Sequence, residues 1–533
     1  MTRSPLIRNR NTAALSGTAL VAAALSAGTA LADVSQSGEF RNMRRVGHSD
    51  LQGRPAYQPN TIEYPDGRTI AFVGTHGGSK PNPLKGGATE LNGVMIVDVT
   101  NPDRPVEKFH IPVLASGGQS QSVRMCLGSE LPNGVPGNVY LMRNVQGSTL
   151  SGFEVWNVTD VSNPVLVGAI RGLRNTHKHY WECKTGIAYL PGSLGPQYGL
   201  PLWRQGQSMM IVDWKDPAHP VYLRTHGLPG GQPSGTGPVP PSLHGAISTS
   251  DHPKAGTRLA RGATSTDVIG NRVYLAWGVG DDGVMQVLDR RKLLPAPYGT
   301  YSGDLNNPTD QQLESAQTSI LYMSPDQGGH TSMPVFGVTP KSYEDFTEFK
   351  TRDVVVLTSE ATSDLCKEAP HWAFVVDVSV ENSITAPPGT RVERNPWQGP
   401  MVLSTMSVDP QAGEKYPRGN YCKRGARFGV HSSEENFYNP YYGKLTFLAY
   451  FTGGVRAWDI RDPQKPVEVG FYVPVANANT TPDGYMTNNV EVDNRGFIYA
   501  VDRNGSGLDI LKVTGKARRA AFPNDPSHSE DDD

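Results

Sequence analysis

This sequence has few cysteines, almost no net charge and few long apolar runs. Four cysteines occur among 533 residues, and no two have the C-x-x-C spacing of thioredoxin-like or zinc-ribbon proteins. The formal net charge is −2 without a basic stripe, which argues against nucleic-acid binding as the main role. After the N-terminus no apolar run reaches about 18 residues, so the sequence predicts no membrane span.

The compact catalytic motifs are also missing. The sequence has no H-E-x-x-H, no G-x-S-x-G elbow and no P-loop. No repeat unit therefore pairs two metal ligands in a compact, highly specific motif.

The N-terminus has the three parts of an export signal. Arg3, Arg8 and Arg10 supply positive charge, an apolar stretch containing ALVAAAL follows, and Ala30-Leu31-Ala32 matches an A-x-A cleavage site. The arginines are not adjacent, which disfavours a twin-arginine signal. We therefore predict a signal peptide over residues 1–32, a mature chain from Asp33, and a periplasmic or secreted location.

Glycine and proline are abundant, and a segment with a proline-containing turn recurs along the chain. Residues 94–113 read VMIVDVTNPDRPVEKFHIPV, and residues 209–226 read MMIVDWKDPAHPVYLRTH. Related stretches are FEVWNVTDVSNPVLVGAI at 153–170 and GVRAWDIRDPQKPVEVGFYVPV at 454–475. Apolar residues alternate with period two, and turn residues recur every 8–12 positions, which indicates short antiparallel strands.

Each repeat unit is expected to hold four strands, with the V-x-x-V/W-D segment as the third. Seven third strands are expected, near 94–99, 152–157, 208–213, 283–289, 372–378, 454–460 and 506–512. The sequence therefore predicts an all-β, seven-bladed β-propeller over 33–515. FRNMRRVGH at 40–48 is expected to supply the missing fourth strand of the last unit and close the ring, and 516–533 is expected to be a polar acidic tail.

The segments VMIVDVTNP, MMIVDWKDP and VRAWDIRDP resemble the LVIVD-repeat family of bacterial exported propellers. The resemblance covers most of the mature chain and implies the propeller fold. It implies no particular chemistry, because propellers include enzymes, scaffolds and binding proteins.

The four cysteines form an even set in an exported chain, which favours two disulfides. Three connectivities are open, and the repeat alignment favours Cys126–Cys183 and Cys366–Cys422. The alternative is that some cysteines are buried free thiols.

Histidines recur where the first strands of four consecutive units begin. They lie in NTHKHYWECKTG, SLHGAISTS, GGHTSMPVF and FGVHSSEENF, and the candidates are His179, His244, His330 and His431, with His177 as an alternative to His179. First strands meet at a propeller axis, so these imidazoles would converge on a transition metal. Iron and copper are favoured and zinc is the third option. The competing interpretation is a polar channel lining filled with water.

Other residues are expected to complete this site. Two histidines begin H-x-x-E segments, which makes Glu182 and Glu434 candidates to orient a ligand histidine. The units without a histidine offer candidate substrate-binding residues, namely Gln121, Arg124, Asn488 and Asn489. The long loops 192–206, 228–243, 361–371 and 412–429 are expected on the same face, with Cys366 and Cys422 stapling a lid.

The expected architecture is similar to the carotenoid cleavage oxygenases, propellers that hold iron with four histidines. It is also similar to the selenium-binding and methanethiol oxidase propellers. These likenesses imply a metal-dependent oxidoreductase or oxygenase acting on a small organic substrate. The alternative is a non-catalytic propeller that binds a protein, glycan or cell-surface partner.

Overall fold

The computed structural model describes residues 38–194, 198–256, 269–339, 351–379, 381 and 400–524. All of these belong to the second of two units, Val34–Asp533. The expected signal peptide, 1–32, and the end of the expected tail, 525–533, lie outside the described residues.

The described chain is dominated by short strands. In chain order they are β1 (Glu39–Arg41), β2 (Met43–Ser49), β3 (Ala56–Glu63), β4 (Thr69–Thr75), β5 (Ser79–Asn82), β6 (Ala88–Leu91), β7 (Gly93–Asp98), β8 (Val106–Pro112), β9 (Val123–Leu127), β10 (Val139–Val145), β11 (Gly152–Asn157), β12 (Val165–Arg171), β13 (Tyr180–Trp181), β14 (Ile187–Gly192), β15 (Ser208–Asp213), β16 (Val221–His226), β17 (Leu243–Ser248), β18 (Arg272–Trp277), β19 (Val284–Asp289), β20 (Gln317–Tyr322), β21 (Thr331–Val338), β22 (Arg352–Thr358), β23 (Ala373–Asp377), β24 (Met401–Met406), β25 (Phe428–Ser433), β26 (Leu445–Phe451), β27 (Val455–Asp459), β28 (Val467–Val473), β29 (Thr487–Val492), β30 (Ile498–Asp502) and β31 (Leu508–Val513). Three short helices accompany them, namely α1 (Arg290–Leu293), α2 (Asp310–Glu314) and α3 (Gly515–Ala521).

These strands form small antiparallel sheets in chain order. Five sheets have four strands, with the orders β3-β4-β7-β8, β9-β10-β11-β12, β13-β14-β15-β16, β17-β18-β19-β20 and β21-β22-β23-β24. The remaining large sheet joins β25-β26-β27-β28 to β29-β30-β31-β2 through one pair, Phe451 and Thr487. β5 and β6 form a separate hairpin. Repeated four-stranded sheets are typical of propellers and confirm the expected all-β class.

The repeat in the sequence corresponds to the third and fourth strands. Each expected third-strand segment contains or overlaps an observed one, as 208–213 does with β15. Two of the fourth strands, β12 and β2, carry a glycine where the next sheet's proline turn packs. A Cβ at Gly168 would lie 2.3 Å from the Pro217 carbonyl oxygen, and one at Gly47 would lie 1.9 Å from that of Pro102. The glycine and the proline turn are therefore two sides of one contact between neighbouring sheets.

The first strands of the sheets contact one another in chain order. The contacts run from β3 through β9, β13, β17, β21 and β25 to β29, and β29 contacts β3. We call these the inner strands, and the line they surround the axis. The apolar core lies between the faces of neighbouring sheets, since one buried cluster combines Tyr140 and Met142 with Ala188 and Leu190.

The N-terminal segment pairs with two different strands. β1 lies antiparallel to β28, whereas β2 lies antiparallel to β31, with Met43 opposite Val513. Beyond β31, the expected tail begins as the packed helix α3, whose Ala517 and Ala521 are buried in the neighbouring core cluster. Packed structure therefore continues past residue 515, as far as the end of this helix at Ala521. Within the described residues, no helix has the length and apolar character to cross a membrane.

Candidate metal centre

Five aromatic side chains form a closed circle of contacts around the axis, where the inner strands begin. Ring centroids are separated by 4.3 Å for His177–His244, 3.7 Å for His244–His330 and 4.2 Å for His330–His431. Tyr57 of β3 lies 5.6 Å from both His177 and His431. We call this region the histidine end of the axis.

Backbone carbonyls set the tautomers of two of these histidines. His244 donates from Nδ1 to the carbonyl of His330 at 2.9 Å, and His431 donates from Nδ1 to that of Asn488 at 2.6 Å. Each Nε2 is therefore left with its lone pair. Burial holds the pKa of His244, His330 and His431 well below the usual range, so these imidazoles are neutral, the form in which they bind metals.

Three buried nitrogens of the rings in this circle have no hydrogen-bond partner among the described residues. They are the Nε2 of His431, the Nδ1 of His330 and the Nδ1 of His177. Such orphaned groups are costly unless something binds them. The donor set therefore fits a metal ion.

Glu360 is the carboxylate at the histidine end. Its oxygens lie 3.6 Å from the Nε2 atoms of His330 and His431, and Glu360, His244 and His330 place possible ligand atoms within 4.8 Å of one another. Burial raises the pKa of Glu360, and the nearby guanidinium groups of Arg503 and Arg427 oppose that shift. Arg427 Nη1 lies 2.9 Å from Glu360 and Arg503 Nη1 lies 3.9 Å from it.

Sequence reasoning missed Glu360 because it considered only the beginnings of first strands. Glu360 follows the second strand β22, and His76 and Arg503 likewise follow the second strands β4 and β30. An antiparallel second strand ends where the first begins, so these positions also reach the histidine end. Tyr57 was missed because only histidines were sought at the inner-strand positions.

His177, rather than His179, belongs to the circle of rings. His179 lies instead with its ring 5.4 Å from that of Phe153. Residues 176–179 precede β13 in irregular backbone, and Asn175 has φ 52°. The period-two rule does not hold there, which is why the sequence left both residues open.

Glu182 and Glu434 do not contact the circle in the described structure, contrary to their expected role. Glu182 forms a bidentate ion pair with Arg290 and accepts a hydrogen bond from Ser248. Glu434 accepts from Asn439 Nδ2 at 3.3 Å. Carbonyls of neighbouring inner strands are closer to the histidines and orient them instead.

Three of the four candidate substrate-binding residues lie at the histidine end. Gln121 Nε2 is 3.1 Å from His76 Nδ1, and Asn488 Nδ2 donates to the Tyr57 carbonyl at 3.0 Å. The amide of Asn489 is within hydrogen-bonding distance of that of Asn488. His76 and His177 are partly exposed, so the circle is approached from this side.

Arg124, the fourth candidate, lies at the opposite end of the axis in a buried ionic network. Arg124 and Lys178 each donate to one oxygen of Glu435. Burial raises the pKa of the neighbouring Glu491 to about 8, and that of Glu434 well above its usual range. We call this region the ion-pair end.

Both disulfides are present with the pairing that the repeat alignment favoured. Cys126 is bonded to Cys183 and Cys366 to Cys422, each with a Cα–Cα distance of 5.4 Å. The second bond joins the expected loops 361–371 and 412–429. Disulfides are consistent with an extracellular or periplasmic protein.

No protein-family model and no curated protein sequence matches the chain. Its structure is similar to the Myceliophteria thermophila Cps50 (Swd1) β-propeller domain, with 10% identity and a TM-score of 0.42 over 86% of this chain and 98% of that one. It is similar to Kuenenia stuttgartiensis hydrazine synthase, with 10% identity and a TM-score of 0.43 over 87% and 97%. It is also similar to a hypothetical selenium-binding protein from Sulfolobus tokodaii, with 11% identity and a TM-score of 0.44 over 87% and 92%. At these scores the propeller assignment rests on the strand pairing described above, and the LVIVD resemblance stays a prediction.

Proposed function

We propose that this chain is an exported, metal-dependent oxidoreductase on a seven-bladed propeller closed by β2. His177, His244, His330 and His431 hold the metal, and Glu360 is the carboxylate beside it. The observation that carries the proposal is the circle of neutral imidazoles with carbonyl-fixed tautomers and orphaned nitrogens. The contacts between successive inner strands support the ring, and the pairing of β2 with β31 supports its closure.

The chain's own residues define what such a site does. Hydrogen bonds from Nδ1 to carbonyls hold the His244 and His431 rings in place, so each Nε2 is oriented before a metal arrives. Imidazole nitrogens bind iron, copper and zinc, and iron or copper would supply the redox and dioxygen chemistry of the proposed oxidoreductase. Gln121, Asn488 and Asn489 lie beside the rings at the histidine end and are the residues proposed to bind a small organic substrate.

The loops around the proposed metal site are consistent with substrate entry from the histidine end of the axis. The disulfide Cys366–Cys422 ties together two segments that flank Glu360 and Arg427. We propose that these loops form a lid over the site. The N-terminal signal and the disulfides support export to the periplasm or beyond.

Elemental analysis of protein purified without chelator or nickel affinity resin tests the proposal. We expect about one iron or copper ion per chain, and loss of that ion in His244→Ala and His330→Ala. The matched control is His179→Ala, which removes a buried histidine outside the circle and should retain the ion.

Two results would contradict a metal site. One is wild-type protein that fails to take up added iron, copper or zinc. The other is equal metal retention in His330→Ala and His179→Ala. Copper-loaded protein adds a second readout, because imidazole ligands produce nitrogen hyperfine splitting in the electron paramagnetic resonance spectrum. A protein that binds no metal would favour the non-catalytic, partner-binding alternative.

A further inference from the structure

A cavity of about 640 Å³ opens at the ion-pair end, away from the four histidines. This volume lies in the range of small-molecule sites. Arg124, Glu435 and Glu491 line its inner part, which we call the floor. Aromatic side chains line its walls, namely Tyr64, Tyr180, Trp181, Phe437 and Tyr438.

On its floor and its wall, the cavity has polar groups for which the described residues provide no partner. Arg124 donates from Nε to the His179 carbonyl and from Nη2 to Glu435, but no described residue accepts from its Nη1. The Nε1 of Trp181, which is 3% exposed, is buried without a partner in the described part of the chain. Arg124 is 11% exposed, so its free edge is accessible only from the cavity.

Glu491 is also poorly paired, although only 3% of it is exposed. The backbone N–H of Val492 lies against its carboxyl group, and no described side chain is hydrogen-bonded to it. At neutral pH a carboxyl group with its raised pKa is protonated and offers an O–H donor.

The charge balance at the floor favours an anion. Both oxygens of Glu435 are already occupied, by Arg124 and Lys178, so two cationic groups share one carboxylate. The exposed charges of the rim include Glu63, Glu130 and Lys184. Asp251, which accepts from the backbone N–H groups of Cys183 and Lys184, and the Asp493–Arg495 ion pair also line the cavity away from the floor. Solvent and salt screen the exposed charges, whereas the desolvated floor is screened much less.

We propose that this cavity binds a small aromatic carboxylate, with its anion against Arg124 and Glu491 and its ring against the aromatic wall. Arg124 then supplies a charge-assisted hydrogen bond from Nη1, and the protonated carboxyl group of Glu491 donates a hydrogen bond to a carboxylate oxygen. The site does not require the metal, because the Lys178–Glu435 ion pair separates it from the histidines.

Isothermal titration calorimetry of the full chain, with chelator present, tests the proposal. The probes are benzoate, benzamide and benzylamine, which share a ring and differ in charge. We expect saturable binding of benzoate at pH 7 and at least tenfold weaker binding of the other two. Absence of benzoate binding, or preferential binding of benzylamine, would overturn the proposal.

Substitutions at the floor sharpen the test. Arg124→Lys keeps the charge and the pairing with Glu435 but loses the guanidinium edge, so benzoate affinity should fall about tenfold or more. Glu63→Gln on the rim is the matched control and should change affinity less than about twofold. Unchanged affinity in Arg124→Lys would contradict the assigned position.

The pH dependence of benzoate affinity tests the role of Glu491 separately from that of Arg124. The charged or titratable groups facing it are Arg124 of β9, Lys178 before β13, and Glu434 and Glu435 after β25. Wild-type affinity for benzoate should fall about tenfold between pH 7 and 9, as Glu491 loses its proton. Glu491→Gln keeps an N–H donor and should remove most of that fall. An equal fall in both proteins would refute the role of Glu491.

Discussion

The two ends of the axis are built from the same inner strands. A circle of neutral imidazoles lies at one end, and a network of ion-paired side chains lies at the other. On β25, His431 contributes a neutral imidazole to the histidine end, and Glu435, two residues after the strand, anchors the ion-pair end. On β29, Asn488 and Glu491 divide in the same way. A few residues along one strand thus separate a donor set suited to a metal from a network of buried charges.

This difference has an energetic consequence. An unpaired nitrogen on a neutral imidazole costs less to bury than an unpaired charge, so the histidine end can keep nitrogens available for a ligand. Buried charges are stable only as complete networks, because removing one partner leaves another uncompensated. The ion-pair end should therefore dominate stability, and the histidine end should dominate metal binding.

Glu435→Gln should give the largest effect. It leaves Arg124 and Lys178 adjacent without their shared carboxylate, and we expect a loss of about 3 to 5 kcal/mol in the free energy of unfolding. Chemical denaturation measures this loss. The matched control is Glu434→Gln, where an amide replaces a protonated acid, with an expected change below about 1 kcal/mol. Equal losses of unfolding free energy in the two variants would show that the ion pairs of Glu435 add no stability of their own.

Stability should fall as pH rises because of Glu491. The pKa of its carboxyl group rises from a usual 4.5 to about 8 on folding, so between these values the folded state binds a proton that the unfolded state releases. From pH 5 to pH 9, the wild type should lose about 2 to 4 kcal/mol of unfolding free energy relative to Glu491→Gln. A constant difference between the two proteins over that range would contradict the raised pKa.

Added metal should increase the stability of the folded protein by binding at the histidine end only. An ion present at a hundred times its dissociation constant adds about 2.7 kcal/mol. Thermal unfolding with added copper should show this gain in wild type and in Arg124→Lys, and chelator should reverse it. His244→Ala should show no gain. A gain that survives in His244→Ala would place the ion elsewhere.

Tyr57→Phe should have the smallest effect. The Tyr57 hydroxyl is 3.4 Å from His330 Nε2, which is a long hydrogen bond. Its removal should cost less than about 1 kcal/mol, and metal content should not change. Loss of the metal in this variant would indicate that the Tyr57 phenol is a metal ligand and not only a neighbour of the histidines.

The strands and the disulfides could be predicted from the sequence because their signals are local. Period-two alternation and the turn residues placed β15 at 208–213, and the repeat alignment paired Cys126 with Cys183. The histidine positions followed from the same repeats, although irregular backbone before β13 left His177 and His179 unresolved.

The ionic network and Glu360 could not be predicted because their partners are set by tertiary structure. Lys178 and Glu435 are 257 residues apart, and no local pattern relates them. Glu360 reaches the histidines from a second strand, a position that only the assembled sheet reveals. The carbonyls that orient His244 and His431 belong to neighbouring strands and carry no sequence signature at all.

The pairing of β2 with β31 also constrains how the chain folds. His48 and Asp509, which hydrogen-bond across this pair, are 461 residues apart. This contact has a very high sequence separation, and during synthesis it must wait until almost the whole chain has emerged. Until then β2 and β30 each have an unpaired edge, which is a site for aggregation. The seam between the chain ends therefore cannot form until synthesis is almost complete, and until then the strands on either side of it lack their partner.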